Sequence, residues 1–230
     1  MTELLRGLDV SRHQDRIDWT LIPDRFAFAM VGITDWPTGN VDWQADANLQ
    51  GCLLRGVIPG GYQRVNYGRN TAEREAALCV NRLAELDLLG IGRLLPALDI
   101  EPIDATPPGV DLAVWVRDLF AAWMDLTAGA RVLWYTSGSF YTGKYGGLAN
   151  LPPGVSLWPA HWSGSFSNPK NPNGDPGLAE EWAGQTPYRG SADHPALIHQ
   201  YWNKATVPGI TGPVDLDCLM PGVRLADVMQ

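Results

Sequence analysis

The chain is short of the features that mark several common modes of action. It has only three cysteines, Cys52, Cys79 and Cys218, widely spaced and with no Cys-x-x-Cys pair. That excludes a disulfide framework or a zinc ribbon, and reads as buried free thiols in a chain made in a reducing compartment. It has three lysines, no basic cluster and a net charge of −8. Nucleic acid is therefore excluded as a partner, because phosphate binding needs a basic stripe. No apolar run approaches the ~18 residues of a membrane span, so no membrane insertion is expected. The opening Met-Thr-Glu-Leu-Leu-Arg reaches Asp9 without the apolar stretch of a secretory leader, which predicts synthesis in the cytoplasm and some other route of release if the protein acts outside. No Gly-x-Ser-x-Gly or phosphate-binding glycine loop occurs. His161 and His199 have no Cys or acid at zinc spacing and read as core histidines. No metal or cofactor is expected.

What the chain has in abundance is tryptophan (10), glycine (25) and proline (18) among 230 residues. Many aromatics beside many turn-formers suggest long loops and flat stacking surfaces suited to sugar rings, with some of the tryptophans left to the core. Hydrophobic residues make up 45% and charged residues 18%, an ordinary globular balance. The length suits a single α/β barrel, and a monomer is expected.

Apolar runs at residues 5–10, 26–33, 56–62, 94–100, 131–136, 156–161, 197–201 and 214–219 predict strands. Helical patterns fall between the earlier runs. Residues 43–54 are weakly helical, and a second helix runs from a cap at Asn70, with Glu73 in the first turn, to about Leu89 before Gly90. A third begins at Asp111 and carries Leu112, Trp115, Leu119, Trp123 and Leu126 at helical spacing before Gly129. Alternation followed by strands alone predicts an α/β fold, an irregular TIM-like parallel barrel of about five β/α units followed by three strands lacking full helices. Residues 163–195, rich in Gly, Pro, Asn and Ser, read as a long loop inserted in a single domain spanning 1–230.

Within the fourth run stand Asp99 and Glu101. Strand side chains alternate, so the two share a face with Ile100 opposite. Two carboxylates at the end of a buried strand are costly unless used, and their mutual repulsion separates their pKa values as acid/base work requires. In a parallel barrel, reactive groups sit at C-terminal strand ends. Asp9 meets that condition on the first strand and Asp215 lies on the last, which barrel closure makes its neighbour. Asp217, two residues on, shares the face of Asp215.

These segments resemble a known family. Gly7-Leu8-Asp9-Val10-Ser11 with Gln14 is similar to the opening Gly-Ile-Asp-Val-Ser…Gln of the family 25 glycoside hydrolases, the Chalaropsis-type lysozymes. Ile17-Asp18-Trp19, Leu98-Asp99-Ile100-Glu101, Leu133-Trp134-Tyr135-Thr136-Ser137 and Leu157-Trp158-Pro159-Ala160-His161-Trp162 resemble later segments in family order. So do His199-Gln200-Tyr201 and Val214-Asp215-Leu216-Asp217. The resemblance implies a single catalytic domain acting on bacterial peptidoglycan, where it would cut the β-1,4 bond between N-acetylmuramic acid and N-acetylglucosamine. It also implies Glu101 as general acid, Asp99 as its charged partner, and Asp9 and Asp215 as supporting acids. A phage endolysin released by lysis is one setting it suggests.

Tyr62, Tyr135, Trp162 and Gln200 sit at strand ends where substrate would lie. The chain departs from the family at Gly32-Ile33-Thr34-Asp35-Trp36-Pro37 and at Gly61-Tyr62-Gln63-Arg64-Val65. There Trp36 offers a stacking platform, and Arg64 a partner for a lactyl or peptide carboxylate. Two alternatives stand beside this reading. One is a chitinase-like N-acetylglucosaminidase, disfavoured because Ala97 stands where its strand carries a further Asp. The other is a non-catalytic wall-binding or virion module on the same barrel.

Overall fold

The structure, a computed structural model, describes residues 4–36, 38–102, 109–138, 151–162 and 182–230. Its strands are β1 (Arg6–Val10), β2 (Phe26–Gly32), β3 (Thr34–Asp35), β4 (Asn40–Val41), β5 (Ile58–Arg64), β6 (Ala97–Asp99), β7 (Val132–Ser137), β8 (Val155–Ala160), β9 (Ile198–Ala205) and β10 (Val214–Leu219). The helices are α1 (Ala45–Arg55), α2 (Ala72–Glu85) and α3 (Leu112–Thr127). Eight strands close into a barrel in the order β1-β10-β9-β8-β7-β6-β5-β2, and β3 and β4 form a separate two-stranded hairpin.

This corrects the expected TIM-like barrel of five alternating β/α units. The described residues hold a closed eight-stranded β-barrel with three α-helices. The connection from β1 to β2 folds as two 3-10 turns in place of a crossover helix. Ser11 caps the first through His13 N, and Asp18 caps the second through Thr20 N. Nor is the barrel parallel throughout, since β10 runs antiparallel to both β1 and β9. The expected loop insertion at 163–195 lies outside the described residues as far as 181. Residues 182–195 form turns, in which Trp182 packs against the His161 ring at 5.4 Å.

Local chemistry accounts for the helix ends. Thr71, rather than the expected Asn70, caps α2 by accepting from Arg74 N. The helix stops at Glu85, short of Gly90, because Asp87 turns the chain at φ 54°. Asp111 caps α3 through Ala113 N and Val114 N, as its position predicts. Gly56 ends α1 at φ 74°, a conformation open to glycine.

Strand alternation divides the core into two clusters. Leu8, Val31, Leu98, Trp134, Leu157 and Leu216 point outward, in the cluster shared with the helices. Phe28, Met30, Ala97, Leu133, Trp158, Ile198 and Leu219 fill the barrel interior. Gly7 is required in that interior, since a Cβ there would lie 2.2 Å from the Phe28 ring. The same alternation brings inward-facing carboxyls to the opposite end of the barrel.

Candidate active site

Asp9 on β1 and Asp215 on β10 are direct cross-strand partners, so their side chains share one face. Asp99 closes β6, with its backbone carbonyl accepting from Val65 N at 2.9 Å. Ile100 N donates to the Tyr135 carbonyl at 2.9 Å and its side chain is buried in the outer cluster. Glu101 thereby returns to the side of Asp99. The candidate catalytic and substrate-binding residues Asp9, Trp36, Tyr62, Arg64, Asp99, Glu101, Tyr135, Trp162, Gln200 and Asp215 line one cavity of about 540 Å3, while Asp217 is buried beneath it.

One side chain orients much of its floor. Gln200 Oε1 accepts from Trp162 Nε1 at 2.7 Å and from Tyr135 OH at 3.0 Å. With the amide oxygen so engaged, its Nε2 points the other way and donates to Asp9 Oδ2 at 2.8 Å. Tyr135 and Tyr62 both pack edge-on to Trp158, at 4.7 and 6.1 Å between ring centroids. Burial, and then the neighbouring acids, push both phenols well above their ordinary value, so they remain hydroxyls.

The acids hold their protons more tightly than ordinary carboxyls. Burial pushes Asp215 up to about 8, reinforced by Asp9 and Glu101. Burial also pushes Asp217 up to about 8, against the hydrogen bond from Trp158 Nε1 at 2.8 Å. Asp9, 6% exposed, is raised by burial and by the neighbouring Asp217 carboxyl. Each of these buried carboxyls makes ionisation of the other more costly.

Asp99, 5% exposed, is likewise raised by burial and then by Glu101, with Arg64 acting against them. Its Oδ1 is buried with no hydrogen-bond partner. Burial thus shifts Asp99 toward its protonated form, where the sequence reading expects a charged one.

The rim departs from the acids' pattern. Arg64 Nη2 pairs with Glu101 Oε2 at 3.0 Å, and its guanidinium lies 4.4 Å from the centre of the Trp36 ring. Arg12 holds that tryptophan in place by donating to the Trp36 carbonyl at 3.3 Å and pairing with Asp35. Sequence reasoning missed Arg12, His13, Asp42 and Asn203 as lining residues, and quoted Ser11, Thr34 and Trp158 only within their motifs. Trp158 was open to discovery, since it sits at an inward position of a strand already identified. Arg12 was not, because its partners are more than twenty residues away. Among the described residues no group of three or more His, Cys, Asp or Glu side chains is placed to hold a metal ion.

A pair of carboxyls facing an aromatic-walled cleft is the equipment of glycosidic bond cleavage, and the class so defined is a glycoside hydrolase. Residues 8–210 match the family described as glycosyl hydrolases family 25, and the chain belongs to that family. Three solved structures illustrate the likeness of fold. The lysozyme from Streptomyces coelicolor is 23% identical, with a TM-score of 0.70 over 99% of this chain and 96% of that one. The spore cortex lytic enzyme SleM of Clostridium perfringens is 18% identical, with a TM-score of 0.75 over 98% and 69%. The catalytic domain of endolysin ply40, from a bacteriophage of Listeria monocytogenes, is 16% identical, with a TM-score of 0.69 over 99% and 97%. Comparison with curated proteins gives no match.

Proposed function

We propose that the enzyme is an N-acetylmuramidase that hydrolyses the β-1,4 bond between N-acetylmuramic acid and N-acetylglucosamine in bacterial peptidoglycan. The observation that carries this reading is Asp99 Oδ1, buried and without a partner beside Glu101 in the cavity. An orphaned buried acceptor is costly. The N–H of a 2-acetamido group on the substrate satisfies it and favours the anionic form of Asp99. So held, the acetamido oxygen attacks C1 while Glu101 gives its proton to the leaving oxygen, in a substrate-assisted displacement. Glu101 then takes a proton from water as that water opens the cyclic intermediate. Asp9, fixed by Gln200, and Asp215 line the floor under the reacting sugar.

Mass spectrometry of digested peptidoglycan tests the reading, because the new reducing sugar identifies the bond cut. Muramic acid is expected at the new reducing ends, and N-acetylglucosamine there would overturn the bond assignment. Glu101→Gln is expected to reduce the rate by roughly 10²–10⁴-fold, the usual contribution of a general acid. A variant as active as the wild type would remove Glu101 from that role.

A further inference from the structure

Arg64 stands on the very carboxyl that the muramidase reading makes the proton donor. Its pair with Glu101 at 3.0 Å engages that carboxyl in an ion pair, which has to open before the carboxyl can protonate a leaving group. Both partners are partly open to solvent, the Arg64 side chain 33% exposed and that of Glu101 26%, so the pair is weak and exchangeable. The guanidinium itself is well held. Trp36 lies under it at 4.4 Å, and Arg12 anchors Trp36 through its carbonyl. Of the two arginines lining the cavity among the described residues, Arg12 is committed to Asp35 and the Trp36 carbonyl. Arg64 is the one whose partner can change.

We propose that Arg64 reads a carboxylate on the substrate glycan and, by exchanging Glu101 for it, releases Glu101 to act as the acid. The inference rests on the muramidase reading and names the substituent its substrate must carry. The groups facing Glu101 are Arg64 on β5, Asp99 on β6, Tyr135 on β7, Asp9 on β1 and Asp215 on β10. Once Arg64 has changed partner, no cation remains among those groups to hold Glu101 as a carboxylate. The proton that Glu101 takes up comes from Asp99, whose burial favours its protonated form. Asp99 becomes the carboxylate that the acetamido N–H requires. One proton moves between the two carboxyls, and the guanidinium changes partner.

The test compares kcat/KM on four glycans. These are neutral N-acetylglucosamine oligomers, peptide-free strands with bare lactyl carboxylates, strands bearing stem peptides with free carboxyls, and the same strands with those carboxyls amidated. Wild type is expected to favour a carboxylate-bearing strand by about ten-fold or more, the worth of one charge-assisted hydrogen bond. Whichever of the two carboxylated strands shows the preference identifies the lactyl or the stem group. Arg64→Gln should bring the ratio close to one, chiefly through KM, and should move the alkaline limb of its kcat/KM profile to higher pH. Arg64→Lys keeps the charge and should keep that limb in place. Equal cleavage of charged and neutralised strands by wild type overturns the role of Arg64 and leaves the muramidase reading standing. If no strand yields a muramic acid reducing end, both fall.

Discussion

At Asp217 the fold completely buries a carboxyl between Trp158 and Asp9. Its value of about 8 lies above the usual carboxylate range because burial penalises the charge. The unfolded chain therefore gives up this proton at lower pH than the fold does. The stability tied to Asp217 is complete below its unfolded value near 4 and is lost as pH rises toward 8. Asp217→Asn keeps the acceptor for Trp158 and offers Asp9 an N–H in place of a competing carboxylate. Thermal unfolding should show the variant close to wild type at pH 4 and more stable at pH 8, by on the order of 5–10 °C. The lowered pKa of His199, about 4, is present in both proteins and cancels in the comparison. An equal change at both pH values would mean that Asp217 is not the group being titrated.

The hairpin of β3 and β4 shows how one element is tied to the site from a distance. Arg12 reaches it from the turn after β1, pairing with Asp35 and the Trp36 carbonyl, while Arg12 N donates to Asp42 Oδ2 at 2.9 Å where the chain returns. Arg12→Ala removes only the side-chain ties, which are partly exposed and worth little to global stability. Its expected signature is a KM raised about 3–10-fold with kcat nearly unchanged and Tm lowered by less than about 2 °C. A fall in kcat at constant KM would instead place the hairpin in the chemical step.

Sequence patterns locate the barrel strands because each strand is an apolar run, but they do not show strand direction. An apolar run reads the same either way, and β10 runs antiparallel to its neighbours. Two-residue strands carry no period at all, so the hairpin passed unseen. The acids were legible because their two-residue spacing on strands fixes which face they share. The Arg12 contacts were not, since they form only once the chain has folded.

For the whole molecule, the excess of acid sets how it meets its substrate. The net charge of −8 opposes approach to a wall bearing anionic polymers. That repulsion acts over a Debye length, about 30 Å at 0.01 M salt and about 10 Å at 0.1 M. The exchange at Arg64 is a contact interaction in a half-enclosed cleft and is screened much less. Lysis of intact walls should therefore speed up as salt rises from about 0.01 to 0.1 M, and walls stripped of their anionic polymers should show little change over the same range. Turbidity clearing on the two preparations measures both. A rate that falls with salt on both would mean that an attractive contact governs encounter.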